Sequence, residues 1–453
     1  MKTIAHEQQT VVEALESRLL LAASPVGTVF DVQTVFTDGG PELHVNGSNK
    51  ADKITISQSP AGLKVANGAG YSKTFAGAFS LIVVNAGAGN DSVSLDASVK
   101  VNAVLYGGLG NDAITGGSGN DKLYGEAGND TLTGGSGDDV LVNIGGGKDV
   151  AAGGAGRDSF WIDKGESARD ATPGETATSL HRVGGFASIG TADGGKVKLT
   201  KVSSELLGQD LLDPTLTGYA DRYRNFTANP LFAAAGPVAD DVAQGALGDC
   251  YYLATLASLA EVDPITIRER VVELGDGTYA VKFARDGANV FVRVDADLPV
   301  WNDALAYADL GAGNSIWVAV MEKAFACFRT NVASYGAIEA GWMSEAASAL
   351  GVGSTSTYSA SSAKALTSLL ASALSTGKAV TYATAPDVHP RLVASHAYQV
   401  VAVVPNGSAT NVVLRNPWAV DGTPSVDGMN DGYVTVTAAQ LFQSFAGVTV
   451  VAA

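Results

Sequence analysis

The segment Gln244-Gly245-Ala246-Leu247-Gly248-Asp249-Cys250-Tyr251-Tyr252-Leu253 puts a cysteine where a glycine-rich loop gives way to an apolar run, Leu253 to Ala260, that reads as a helix. A thiol at a helix N-terminus feels the positive end of the aligned peptide dipoles, which favours thiolate over thiol. That is the setting of a cysteine nucleophile. The chain has two cysteines, so a disulfide framework is not the obvious reason for this one. Such a nucleophile needs a base to hold its proton, the base needs an orienting partner, and the developing oxyanion needs a donor. Five histidines are available (His6, His44, His181, His389 and His396), and none pairs at metal-ligand spacing, which argues against zinc. His396 opens an apolar strand-like run, Ser395-His396-Ala397-Tyr398-Gln399-Val400, and a second run, Val412-Val413-Leu414, ends at Arg415-Asn416-Pro417-Trp418. Adjacent strands of this kind can set the Asn416 amide oxygen beside the imidazole N–H, with Trp418 excluding water from the bond. Cys327, among apolar neighbours, reads as a buried small hydrophobe. His389, beside Pro390, reads as a loop residue and Trp317 as core.

A second chemistry lies upstream. Four nonapeptides run without interruption from Gly107 to Val142, with aspartates stepping by nine (Asp112, Asp121, Asp130, Asp139) and aliphatics in step (Ile114, Leu123, Leu132, Leu141). In each, six residues form a turn whose glycines supply positive φ and close backbone approach. The last three form a short strand that buries one aliphatic residue. The pattern resembles the nonapeptide repeat of RTX (hemolysin-type calcium-binding) proteins, which builds a parallel β-roll. One carboxylate plus carbonyl oxygens per turn suits Ca²⁺, a hard cation taking six to eight oxygens. Alternation of turns predicts that Asp112 faces Asp130 and Asp121 faces Asp139. Stacked carboxylates repel without the ion, so folding should be coupled to metal. The step slips to ten at Asp149, beside Lys148, and the pattern returns at Gly153 to Trp161 with Arg157 and Asp158. Degenerate versions surround Asp91 and Asp52. Residues 164–205 lose the period and read as a connector.

The thiol region in turn resembles the catalytic core of calpain-family cysteine proteases, from about residue 206 to the C-terminus. The resemblance rests on Asn229-Pro230-Leu231-Phe232, the Gln244 to Cys250 motif, Trp317 through Glu322-Lys323-Ala324, Ser395-His396-Ala397-Tyr398, Leu414-Arg415-Asn416-Pro417-Trp418, and Asp431-Gly432-Tyr433. It implies Cys250 as nucleophile, His396 as general acid/base, Asn416 as its orienter, and Gln244 as oxyanion donor beside the Cys250 backbone N–H. Three positions depart from the family's pattern: Ser395 and Ala419 replace glycines, and Tyr251 replaces tryptophan. The family's animal members bind calcium within the protease core, and no clear set of matching carboxylates stands out here.

Hydrophobic residues at 46% provide for at least one sizeable core, and a net charge of −17 without a basic stripe argues against nucleic acid. No apolar run approaches the length of a transmembrane helix. Residues 12–22 resemble the LEPR-XLL signature of large exported bacterial proteins, with Ser17 in place of proline.

The expected organisation is multidomain. It comprises a targeting segment at 1–25, a β-rich region at 26–105, an RTX-like parallel β-roll at 106–163 with Asp112, Asp121, Asp130, Asp139 and Asp158 as calcium ligands, a connector at 164–205, and a papain-like α+β two-lobed cysteine protease at 206–453. Its lobes are expected to be helical around Cys250 and β-rich around His396 and Asn416. The expected function is a calpain-like endopeptidase acting on proteins or peptides, with calcium as cofactor, secreted or at the cell surface. Three further readings stay open: acyl transfer of a transglutaminase type by the same triad, a calcium-dependent adhesion module carrying a weak protease, and a protease gated by calcium through the roll.

Overall fold

The computed structural model describes residues 29–452 apart from 38, 190–195, 201–209, 358, 408 and 423–428. The signature at 12–22, the expected targeting segment and the end of the connector lie outside the described residues. Two compact units account for the chain, the first running through Phe186 and also taking residues 273–278.

The first unit is a solenoid with two eight-stranded sheets. Consecutive strands alternate between the sheets, so each pairs in parallel with the strand one full turn on: Lys122↔Val140 in one sheet, Thr131↔Ala113 in the other. Nine-residue repeats therefore stack at eighteen residues. The inward positions are the predicted ones, with Ile114, Leu123, Leu132 and Leu141 each at most 1% exposed. Glycine is obligatory where turns touch. A Cβ on Gly128, at φ +150°, would lie 1.6 Å from the Gly110 carbonyl oxygen. The N-terminal region joins the same sheets through hairpins, Asp31–Thr37 with Gly40–Asn46 and Lys53–Ser59 with Gly62–Asn67, and parallel stacking takes over at Leu81–Asn85.

The segment read as a connector differs from that expectation. Ser167–Ala168 and Leu180–Val183 add parallel strands to the two sheets, and the helix Pro173–Thr178 between them is closed by a Thr172/Glu175 capping box. The solenoid thus runs on to Val183 without the nine-residue period.

The second unit is α+β. Its six-stranded sheet takes the order Gly353–Thr357, Phe445–Ala452, Ala379–Thr384, Ala397–Asn406, Ala409–Arg415, Tyr433–Thr437, with every neighbouring pair antiparallel. Against it packs the helix Cys250–Val262, which is buried from Tyr251 to Ala260 and apolar on every side. A helix of that composition has to lie inside a core. The half of the unit around Cys250 is not purely helical: strands such as Thr278–Arg285 and Ala288–Asp295 accompany the helices Trp317–Phe328 and Met343–Ala349. Trp317 and Cys327 are core residues, 0% and 2% exposed.

Truncating one inward solenoid residue tests the stacking. Leu132→Ala should cost about 3 kcal/mol in denaturant unfolding. Thr131→Ala, one residue away on the exposed face, should stay within about 0.5 kcal/mol. Equal effects would contradict the inward register.

Candidate active site and calcium cradle

Register assembles the thiol site. In the hairpin of Ala397–Asn406 with Ala409–Arg415, Gln399 pairs with Arg415, so the residues just outside its open end, His396 and Asn416, meet. His396 Nε2 lies 2.8 Å from Asn416 Oδ1. Asn416 is fully buried and His396 5% exposed. The Asn416 oxygen also accepts the Trp418 backbone N–H at 3.0 Å, and its amide donates to the Asp421 carbonyl at 3.2 Å, which fixes which end of the amide faces the ring. Trp418 stacks obliquely over His396 with ring centroids 4.6 Å apart, and Tyr398 meets the ring edge-on at 5.0 Å. Thr384 Oγ1 accepts the His396 backbone N–H at 2.8 Å and donates to the Val393 carbonyl at 2.7 Å.

Cys250 begins its helix. The backbone amides of Ala397, Tyr251 and Cys250 itself act to lower its thiol. A cleft of about 600 Å³ is lined by Cys250, His396, Trp418, Gln244, Gly248 and Ala340, among others. Of the four sequence-nominated residues, Cys250, His396 and Gln244 line this cleft, and Asn416 is buried behind His396. Gln244 is more constrained than its sequence suggests. Its Nε2 donates to the Leu247 carbonyl at 2.6 Å and its backbone N–H to the Pro417 carbonyl at 2.7 Å, leaving one amide hydrogen uncommitted. Arg415 ties the same loop to the hairpin, donating to the Val242 carbonyl at 2.9 Å and to Asp240 at 3.1 Å.

Electrostatically the pair is neutral. Burial pushes the Cys250 thiol up to about 11, against the lowering supplied by the three amides. Burial also drives the His396 imidazole down to about 4, and its bond to Asn416 only partly opposes that. Cys327, deeper in the core, is pushed up to about 12 by burial. His389 is tied up elsewhere, its ring facing Gln440 at 3.1 Å and accepting the Arg391 amide at 3.3 Å.

Two of the departures from the family pattern fall at left-handed backbone, Ser395 at φ +49° and Ala419 at φ +55°. Glycine adopts that region freely, whereas a side chain is strained there by about 1 kcal/mol. Thr384 and Arg415 brace the site without having been assigned a role from the sequence. Thr384 comes from a different strand, Ala379–Thr384, and Arg415, although part of the Asn416 motif, bonds residues far away in sequence.

In the solenoid the aspartates form two ladders. Along one, each backbone N–H donates to the Oδ1 one turn on: Asp91 to Asp112 at 2.7 Å, Asp112 to Asp130 at 2.8 Å, Asp130 to Asp149 at 2.7 Å. Along the other, Asp121 donates to Asp139 at 2.8 Å and Asp139 to Asp158 at 3.0 Å. Glu166 and Glu175 continue the two ladders as acceptors for Asp149 and Asp158. Lys148 and Arg157 do not compete, because their side chains are exposed. The second oxygen is the informative one. Oδ2 of Asp112, Asp130 and Asp139, and of Asp91 and Asp149, is buried without a partner, whereas Asp121 Oδ2 accepts the Gly117 amide at 2.7 Å. Carbonyls converge on these oxygens. A Cβ on Gly107 would lie 2.6 Å from Asp112 Oδ2 and 2.8 Å from the Gly125 carbonyl, and one on Gly134 would lie 2.3 Å from Asp139 Oδ2 and 2.4 Å from the Gly153 carbonyl. Orphaned carboxylate oxygens and carbonyls around a cradle that only glycine leaves open fit a hard cation. Among the described residues, Asp210, Asp295 and Asp297 form another acidic group, but Lys323 Nζ already bonds Asp295 at 2.5 Å and the Asp297 carbonyl at 2.7 Å.

Comparison with known proteins finds a family match over each of these two regions. Residues 217–424 match the calpain family cysteine protease model, and residues 106–141 and 144–161 match the RTX calcium-binding nonapeptide repeat. The calpain-1 catalytic subunit of Mus musculus is 33% identical over 211 residues, 42% of this chain and 29% of that protein. Calpain-B of Drosophila melanogaster is 31% identical over 214 residues, 43% of this chain and 23% of its own length. The chain therefore spans less than a third of these relatives. It carries a calpain-family protease domain and, upstream, RTX calcium-binding repeats, and calcium is its cofactor.

Burial sets the pH response of the ion-free solenoid. It raises Asp112 to about 6, Asp130 to about 7 and Asp139 to about 8, where an unfolded aspartate titrates near about 4. The folded state then binds more protons than the unfolded one across that window. Its stability should be greatest at low pH and fall as pH rises from about 5 to about 8. Added calcium should restore the melting temperature near pH 8 and change it little near pH 5, read by circular dichroism. A calcium-free melting temperature that rises over this range would contradict the ladders.

Proposed function

We propose that this chain, with its calpain-family protease domain and RTX repeats, is a calcium-binding cysteine endopeptidase that hydrolyses peptide bonds through Cys250, His396 and Asn416. The observation that carries the reading is the 2.8 Å His396–Asn416 bond on the wall of the cleft that Cys250 and Gln244 also line. With Nε2–H donated to Asn416 Oδ1, the imidazole keeps Nδ1 as its basic nitrogen, a tautomer assigned from the hydrogen bond. Nδ1 takes the Cys250 proton and the thiolate attacks the scissile carbonyl carbon. The remaining Gln244 amide hydrogen and the Cys250 backbone N–H hold the oxyanion. The imidazolium returns its proton to the leaving amine, which departs and leaves a thioester on Cys250. His396 then deprotonates a water that attacks the thioester, and the thiol is regenerated as the acid is released. Trp418 and Tyr398 keep water off the His396–Asn416 bond.

In the repeats, Asp112, Asp130 and Asp139 would hold calcium through Oδ2 together with glycine carbonyls, with Asp121 and Asp158 on the same ladders. The bound ion supplies the positive charge that the stacked carboxylates lack. A cradle that repels itself when empty suits a calcium-rich compartment, which favours export to the medium or the cell surface. Among the described residues, no helix is long and apolar enough to cross a membrane.

Incubating the full chain with casein and with an irreversible thiol reagent, with and without calcium, tests the reading. Cys250→Ala should abolish cleavage and labelling at that site. His396→Ala should lower kcat by about 10²–10⁴-fold, and Asn416→Ala by less, because it leaves the base in place. Absence of any Cys250-dependent cleavage or labelling in every condition would sink the proposal, and cross-linked rather than cleaved casein would favour acyl transfer.

A further inference from the structure

Asn143 lies in the ten-residue step between Asp139 and Asp149, where the nine-residue period slips. The strand Val140–Asn143 pairs in parallel with Lys122–Ala127 through Tyr124↔Val142, which sets Asn143 opposite Gly125. Side chains two apart on a strand share a face. Leu141 points inward at 0% exposure, and Asn143 follows it at 1%. In the regular turns the first glycine faces one carboxylate oxygen and one amide oxygen. A Cβ on Gly116 would lie 2.6 Å from Asp121 Oδ2 and 2.2 Å from the Gly134 carbonyl oxygen, and Gly107 and Gly134 repeat that pairing at Asp112 and Asp139. At Gly125 the amide oxygen belongs to a side chain instead. A Cβ there would lie 2.8 Å from Asp130 Oδ2 and 2.0 Å from Asn143 Oδ1, and no backbone carbonyl oxygen comes nearer than 3.1 Å. Among the described residues neither of these two oxygens has a hydrogen-bond partner, and Asn143 Nδ2 has none either. A buried amide and a buried carboxylate oxygen left unpaired are both costly.

We propose that Asn143 is a calcium ligand: its side-chain oxygen takes the place of the glycine carbonyl of the regular turns and, with Asp130 Oδ2, holds an ion where the period slips. The inference rests on the repeats binding calcium and adds a ligand that lies outside their aspartate and glycine pattern. An amide carbonyl is the same hard oxygen donor whether it belongs to a side chain or to the backbone. Ca²⁺ takes six to eight oxygens, so further carbonyls and water complete the shell. Lys148, in the same turn, does not supply the missing positive charge, because its side chain is exposed. Turning the amide end for end would let Nδ2 donate to Asp130 and close the cradle to a cation. The carboxylate–carbonyl pair that recurs at Gly107, Gly116 and Gly134 favours the ligand over this plug.

Counting bound ions tests the assignment. The full chain, stripped with a chelator, is titrated with calcium and read by native mass spectrometry and calorimetry. Asn143→Leu, close in volume but without an oxygen, should bind one ion fewer than wild type, or need at least about tenfold more calcium for that ion. Asn143→Asp keeps an oxygen at the spot and adds a charge. It should bind the wild-type number of ions, one of them about tenfold more tightly, since charge count sets affinity at such sites. Should Asn143→Leu fail to fold, this tightening is the second measurement. An Asn143→Leu chain that binds as many ions at the same calcium, or an Asn143→Asp chain with every affinity unmoved, would overturn the ligand. Either variant binding one ion more than wild type would overturn it too, by showing that the amide plugs the cradle. A wild-type chain that takes up no calcium at all would count against calcium binding by the repeats as a whole, whereas calcium uptake indifferent to Asn143 would count against this ligand alone.

Discussion

A carboxylate taken out of water must be given amides, a cation or a proton, and the burial of carboxylates shapes both units of this chain. The solenoid stacks aspartates at 1–4% exposure, one per nine residues. Backbone amides satisfy both oxygens of Asp121, but only one of Asp91, Asp112, Asp130, Asp139 and Asp149, whose other oxygen is buried without a partner. A further group in the protease unit takes the second solution. Asp295 and Asp213 share the Lys323 ammonium at 2.5 Å each. Each arrangement is costly to break from one side, because a buried charge left alone costs more than the pair contributes.

The ladders show how far a periodic sequence can be read. Where one residue type recurs at one interval, as at Asp112, Asp121, Asp130 and Asp139, period, facing and inward aliphatics all follow from the pattern. The slip at Asp149 costs one extra residue: its ladder step is 19 instead of 18. The end of the solenoid is illegible for a physical reason. Glu166 and Glu175 accept the same ladder bond at a step of 17. A longer side chain reaches the same amide from a shorter loop, so both the residue type and the period change while the interaction persists.

The protease unit was legible in order and spacing and illegible in its supports. His396 and Asn416 could be paired because a strand hairpin has one way to bring the residues at its open end together, and Cys250 stood out at the start of an apolar helix. The same hairpin explains Arg415, which sits beside Asn416 yet bonds the Gln244 loop, a contact across 173 positions that no local pattern encodes. Glu322 could be seen as part of a motif, but only the fold shows that its buried carboxyl accepts the Ala308 amide. Ser395 and Ala419 looked like minor substitutions for glycine; the positive φ at each explains why glycine suits those positions.

Magnitudes decide what activates the thiol. A helix N-terminus contributes about 0.3–1 kcal/mol to a nearby anion, less than one pKa unit at about 1.36 kcal/mol. Burial moves Cys250 the other way, from 9.0 to about 11. The helix end that first singled out this cysteine is therefore too weak to ionise it. Three amides lower the thiol without restoring it, so the remaining stabilisation has to come from a positive charge in the cleft. In the proposed mechanism His396 would provide one by accepting the thiol's own proton, since burial keeps its imidazole neutral. Thiolate and imidazolium would then form together, each offsetting the burial cost of the other. The parts that orient the imidazole, Asn416, Trp418 and Thr384, act on the thiol through this coupling. The carboxyl of Asp249, the residue before the thiol, acts the other way: its charge raises Cys250 further, so the imidazolium has that to offset as well.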